Sequence, residues 1–191
     1  MNKKVIAIMY DFDKTLCTKD MQEYSFIPNL GITPKEFWTR ANEIRLSTGM
    51  DSVLTYMYLM QSMMKEKNIP LTREYLNQLG KNIEYFNGVP EWFEKINKFG
   101  AKYGLTIEHY VISSGIKEII EGSLIGPYFK EIYASEFYYE DNIAVWPKLA
   151  INYTNKTQYL MRIKKGALDI KDDISINKKM QETEKRISFV I

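Results

Sequence analysis

The sequence predicts an α/β fold, a doubly wound parallel sheet that carries a small all-helical subdomain, and three observations predict it. Six consecutive apolar residues, Val5-Ile6-Ala7-Ile8-Met9-Tyr10, stand between charged neighbours and read as the central strand, buried on both faces. A second apolar run, Leu105 to Ile112, ends in Ser113-Ser114-Gly115 ahead of a new helical pattern, so the strand-then-polar-loop arrangement is repeated. Between the two, residues 18–86 show only helical periodicity. The chain therefore divides into an α/β core, residues 1–17 and 87–191, and a helical subdomain, residues 18–86.

The helical stretch opens with Thr33-Pro34-Lys35-Glu36, a capping box with proline at the first helical position, and turns Phe37, Trp38, Ala41 and Ile44 inward. Asp51 caps a second helix containing Leu54, Met57, Tyr58, Met60, Met63 and Met64. That methionine stripe reads as the core of a small bundle in preference to an adaptable binding surface. Thr72 caps a third helix with Tyr75, Leu76, Leu79, Ile83 and Phe86 at helical spacing, and Pro90 starts another with Trp92, Phe93, Ile96 and Phe99, stopped by Gly100. A helix is predicted from near Ile116, a strand over Glu131 to Ser135, and then a surface hairpin in which Phe137-Tyr138-Tyr139 and Ile143 to Trp146 flank Glu140-Asp141-Asn142. Thr154 caps the next helix; Asp169, Asp172 and Asp173 form a solvated loop before a helix capped by Ser175; and Ile187 to Ile191 reads as a further buried strand.

Composition narrows the function. Hydrophobic residues make up 45% and charged residues 26% of 191 positions, ordinary for a soluble globular chain, and a net charge of +2 offers no strong field for nucleic acid or an anionic membrane. Lys3-Lys4 followed by the apolar run mimics a signal peptide, but the run is short and Asp11 interrupts it. The single cysteine, Cys17, has no internal partner and fits a reducing compartment, so a cytoplasmic location is expected.

The chemistry is expected where the first strand ends, because open α/β sheets bind ligands at the carboxyl ends of their strands. There the chain delivers Asp11 and Asp13. Like charges this close raise each other's pKa and favour a bound cation, and Mg2+ is suited to a carboxylate oxygen of Asp11 with a nearby backbone carbonyl. Asp11 can then attack a phosphoryl group while Asp13 gives and takes the proton of the leaving oxygen. An EF-hand loop is excluded, since Leu16 and Gln22 stand where glycine and glutamate are needed. Ser113, with the backbone N–H groups after it, is placed to hold phosphate oxygens; it lacks the flanking glycines of a serine-hydrolase elbow. His109, inside its strand, reads as a satisfied structural histidine. Lys156 stands in the first turn of its helix, unfavourable for the dipole, which suggests a second use, with Lys148 as the alternative.

Asp11, Asp13 and Thr15 match Asp-x-Asp-x-Thr, and the chain resembles the haloacid dehalogenase superfamily in this first motif. Ser113, with Ser114 and Gly115, resembles the second motif and Lys156 the third. Asp13-Lys14-Thr15 also matches the phosphorylated triplet of P-type ion pumps, but no transmembrane run follows. The resemblance implies a phosphatase-type member with a helical cap over the substrate: Asp11 as nucleophile, Asp13 as acid and base, Lys156 as neutralising cation, Thr15, Ser113, Ser114 and Gly115 around the phosphate, and Mg2+ at Asp11 and Asp13. The superfamily's fourth motif, an acidic pair beyond the last predicted strand, is not found, and impaired Mg2+ binding is expected. The function implied is a Mg2+-dependent phosphohydrolase of a small phosphorylated metabolite, with a phosphomutase or a non-catalytic binding protein as alternatives. The open edge of the strand Ile187 to Ile191 suggests pairing with a second copy.

Overall fold

The computed structural model describes residues 4–172, 174 and 176–191; Lys3, Asp173 and Ser175, which entered the sequence reading, lie outside them. One five-stranded sheet has the order β4-β3-β2-β1-β5. β1 (Val5–Tyr10) pairs in parallel with β2 (Thr106–Ile116) on one side and β5 (Ile187–Val190) on the other. β3 (Glu131–Glu140) extends the parallel set from β2, and β4 (Ile143–Leu149) returns antiparallel to β3. Asp141 and Asn142 both take positive φ, 45° and 64°, as a tight two-residue hairpin requires. The hairpin predicted as a surface excursion is thus the edge of the sheet itself, which makes the sheet mixed.

Side chains of β1 alternate between two cores. Ile8 and Tyr10 join the larger cluster, while Ala7 and Met9 join the smaller one with Tyr110, Ile112 and Tyr159. Five α-helices lie between β1 and β2 in the chain, and the first four form the helical layer: α1 (Phe26–Asn29), α2 (Pro34–Thr48), α3 (Ser52–Glu66) and α4 (Arg73–Leu79). Their buried residues, Phe37, Met57 and Leu76 among them, belong to the same cluster as Tyr10, Val111 and Ile116. The larger face of the sheet and the helical layer therefore share one core.

Local signals built these helices as anticipated. Thr33 and Glu36 form the capping box of α2, and Gly49 at φ 70° ends it. The Asp51 carboxylate accepts from the amides of Val53 and Leu54 at 2.9 and 3.2 Å. Met57, Met60, Met63 and Met64 are buried, so the stripe is core; Tyr58 is half exposed and falls outside it. α4 stops at Leu79 and continues only as a 3-10 turn, Gly80–Asn82, before the backbone becomes extended at Ile83, so Ile83 and Phe86 fall outside the predicted helix; Gly80 packs so closely on Ile119 and Gly122 that a Cβ there would lie 2.2 Å from the Ile119 carbonyl oxygen. α5 (Val89–Lys102) runs through Gly100, which does not stop it but makes room for Ile107; Gly104 at φ 68° turns the chain toward β2.

Two further expectations change. β2 does not end at Ile112 but continues to Ile116 through a register shift against β3, and α6 (Lys117–Glu121) follows directly. β5 was expected to be buried, yet Ile187, Phe189 and Val190 are 51%, 55% and 65% exposed. α7 (Lys156–Lys165) packs against β1 and β2, while the short α8 (Ile176–Gln181) packs on α7 and has no buried residue.

Candidate active site

The end of β1 curls into a tight loop in which the Phe12 carbonyl accepts the amides of Thr15, Leu16 and Cys17. Lys14, at φ 59°, takes the left-handed turn and reaches Asp20 at 2.6 Å. The loop sends its two carboxylates into different surroundings. Asp11 accepts from the Phe12 amide at 2.8 Å and meets Lys156 Nζ at 2.9 Å. Lys156 is the first residue of α7, so the helix that covers the smaller core also delivers the cation. With Asp11 45% exposed, the pair contributes about 1 kcal/mol or less to stability.

Asp13 points inward. It accepts from the Met21 amide at 2.9 Å, and the Cys17 thiol stands 3.8 Å from the same oxygen. Desolvation by burial, and then the nearby charge of Asp20, push its carboxyl up to about 7, with Asp11 adding to the effect. Burial also pushes the Cys17 thiol up to about 12, so it stays protonated and is no nucleophile.

The end of β2 passes directly beneath Asp13. A Cβ on Gly115 would lie 3.0 Å from Asp13 Oδ2 and 2.1 Å from Met21 Cε, so a larger residue here would have to displace the end of the Met21 side chain. The Gly115 amide donates to Ser113 Oγ at 3.0 Å, and the Ile116 amide donates to Met21 Sδ at 3.1 Å. Two amides expected to face a ligand thus have partners within the protein. The Ser114 carbonyl accepts from Tyr56 Oη at 2.5 Å and Ser135 Oγ at 3.1 Å, and Ser135 Oγ accepts from the Ile151 amide at 3.0 Å. Thr15 is partly buried at the foot of the loop, where its amide is held by Phe12.

Asp13, Ser114 and Gly115 open onto a cleft of about 620 Å³ beneath α2 and α3. Its wall carries further carboxylates, Asp20 and Glu23, the cations Lys14 and Arg45, and the rings of Trp38, Tyr56 and Tyr153. Asp11 and Lys156 instead border a hollow of about 90 Å³ beside the end of β5, where the Asp11 amide donates to the Ile191 carbonyl at 3.0 Å.

The structure sets Asp11 against Lys156 and Asp13 against Gly115, on two different hollows, and it places Lys156 differently from the sequence reading. Thr154 does not cap α7; its hydroxyl donates to Asn152 Oδ1, and Asn155 occupies the cap position. Lys148 is bound to Glu136 together with Lys117, so it does not serve Asp11. His109 is satisfied, as expected. Tyr10 Oη accepts from Trp92 Nε1 at 2.8 Å and gives its own proton to His109 Nδ1 at 2.9 Å, which leaves Nε2–H for Asn97 at 3.0 Å. Burial holds the ring neutral, its pKa lowered to about 4. Asp20, Tyr56 and Asn152 were missed. Only Asn152 carried a signal, since Asn-x-Thr-Asn ahead of a helix is turn chemistry.

Among the described residues, no group of three histidine, cysteine or acidic side chains gathers to hold a metal ion. Asp11 and the loop carbonyls offer oxygens of the right hardness for Mg2+. They do not complete a site, and Asp172, from the acidic loop near the end of the chain, is held by Lys179 at 2.7 Å.

A model of the haloacid dehalogenase-like hydrolases matches residues 8–168. The chain belongs to the haloacid dehalogenase-like hydrolase family. An uncharacterized protein of Borreliella burgdorferi is 26% identical over 216 aligned positions, which take in 99% of this chain and 74% of that protein. A solved HAD family hydrolase of Salmonella enterica serovar Typhi superposes with a TM-score of 0.60 at 17% identity, over 95% of this chain and 54% of that one. A phospho-aspartyl intermediate analogue of phosphoserine phosphatase gives 0.58 at 18% identity, over 93% of this chain and 84% of that one. The chain thus spans about half the length of the Salmonella hydrolase, and it has the α/β fold of the phosphatase-type members of the family. No helix among the described residues is long and apolar enough to cross a membrane.

Proposed function

We propose that this HAD-like hydrolase is a phosphatase of a small phosphorylated metabolite and works through an aspartyl-phosphate on Asp11. The observation that carries the reading is the contrast at the end of β1: Asp11 is paired with Lys156 and partly open to solvent, and two residues on, Asp13 is held near neutrality. In the first step an Asp11 oxygen bonds to phosphorus, the phosphorus–oxygen ester bond breaks, and the Asp13 carboxyl donates its proton to the leaving oxygen. In the second, Asp13 accepts a proton from water, the water oxygen attacks phosphorus, and phosphate and the Asp11 carboxylate are released. Lys156 offsets the charge gathered on Asp11 and the phosphoryl oxygens. Ser113, Ser114, Gly115 and Thr15 shape the loop floor on which the phosphate sits. The cleft is much larger than a phosphate ion, and its rings and charges of both signs suit an organic portion that is itself charged.

The proposal includes the family's Mg2+, for which Asp11 and the loop carbonyls would supply oxygens and which would offset phosphoryl charge when bound. Because the described residues do not complete a cation site, a second reading, a binding protein without turnover, is kept. Beryllium fluoride trapping with Mg2+ present separates the two. Labelling of the parent protein that is lost in Asp11→Asn and retained in Asp13→Asn supports the nucleophile assignment; equal labelling of Asp11→Asn excludes it. Turnover of p-nitrophenyl phosphate that chelation abolishes excludes the binding reading.

A further inference from the structure

The side chain of Asn152 binds in two directions at once. Its Oδ1 accepts from the Thr154 amide at 3.1 Å, the Thr154 hydroxyl at 2.6 Å and the Asn155 amide at 3.1 Å, which folds the turn that launches α7. The turn is closed from the other side, since Asn155 Oδ1 accepts from the Asn152 amide and Asn155 Nδ2 donates to the Ala150 carbonyl, both at 3.0 Å. The Asn152 carbonyl then accepts the amide of Lys156 itself at 3.2 Å. With Oδ1 so engaged, Nδ2 of Asn152 reaches away from the turn and donates to Asp51 Oδ2 at 3.1 Å. Asp51 is the cap of α3, and its other oxygen holds the first amides of that helix. One side-chain contact therefore joins the start of α3, in the helical layer, to the start of α7, where Lys156 stands.

A turn further along α3, Tyr56 grips the Ser114 carbonyl, so the same helix is tied to both loops that flank Asp13 and Asp11. We infer that Asn152 is a positioning residue: its contact with Asp51 seats Lys156 against Asp11 only when α3 is seated on the sheet, coupling the helical layer to the reacting carboxylate. This rests on the phosphatase reading for its catalytic consequence, but not for the coupling itself. A misplacement of about 1 Å in a catalytic cation can cost on the order of 100-fold in rate, so one lost bond at this distance from the chemistry is worth measuring.

The pair permits a test in which each variant keeps its own turn. Asparagine caps a helix about as well as aspartate, so Asp51→Asn keeps the cap of α3 but sets an amide nitrogen against the Asn152 amide nitrogen. Asn152→Asp keeps the acceptor oxygen of the turn but sets a carboxylate against the Asp51 carboxylate. The double variant restores the bond with its direction reversed. With p-nitrophenyl phosphate as substrate, each single variant is expected to lower kcat about tenfold with KM within about twofold, and the double to return to within about twofold of the parent. Amide hydrogen exchange at residues 153–158, run in parallel, should rise in each single variant and return in the double. Unchanged exchange in both singles, or a double variant no better than the worse single, overturns the coupling. A parent with no turnover overturns the phosphatase reading, and exchange still decides the coupling.

Discussion

Asp11 and Asp13 are the same residue type on the same loop and each accepts one backbone amide, but they differ in burial and in charged neighbours. Asp11 is nearly half exposed and faces a lysine; Asp13 lies under α2 and α3, against Gly115 and Met21, with Asp20 for a neighbour. The difference teaches that spacing alone delivers two carboxylates to one loop, and that burial sets their surroundings apart, which the proposed function reads as a division of labour. A pair whose environments are driven apart is how one site obtains both a nucleophile and an acid near neutral pH.

Exchanging each member for its amide breaks the comparison most directly. Asp11→Asn is expected to lower kcat on p-nitrophenyl phosphate on the order of 10⁴-fold or more, and Asp13→Asn by roughly 10²- to 10⁴-fold. Equal and modest losses would mean that the two carboxylates are interchangeable ligands. Lys156→Met removes the charge that distinguishes Asp11 and should cost about 10²-fold or more in kcat, measured under the same conditions. A loss confined to KM would place Lys156 in ground-state binding alone.

Titration sharpens the other half. As an acid, Asp13 acts while protonated, so kcat/KM should fall as pH rises through about 7. Asp20→Asn removes a negative neighbour and frees Lys14, both of which lower the Asp13 pKa, so the limb should move to lower pH by about one unit or less. A limb that stays in place assigns the shift to burial alone. The same group affects stability. Its folded pKa of about 7 lies above the ordinary 3.8, so the folded chain holds the proton more tightly. The associated stability is fully present below about pH 4 and is lost as pH rises through about 7. Asp13→Asn should therefore raise the thermal midpoint by several degrees at pH 8 and change it little at pH 4; equal midpoints at pH 8 would show that the carboxylate is solvated there.

Much of this was legible in the chain because it depends on near neighbours. The apolar run of β1, the capping box at Thr33, the Asp51 and Thr72 caps and the paired aspartates act within a few residues, where hydrogen-bond reach and backbone preference settle the outcome. Contacts between distant segments decided the rest. Ile187-Ser188-Phe189-Val190 has the letters of a core strand and lies parallel to β1, yet Ile187, Phe189 and Val190 stand exposed, and no local pattern encodes what covers a strand. Gly80 packs on the backbone of Ile119 and Gly115 on the side chain of Met21, contacts with residues far away in the chain that no local pattern announces. The sequence by itself determined which residue types reach the carboxyl edge of the sheet, since strand length and turn chemistry are local. Only the tertiary structure decided that Asp13 is desolvated, that Asp11 meets Lys156 rather than Lys148, and that Asn152 ties α7 to α3, because desolvation and pairing depend on atoms brought close by the packing of the whole chain.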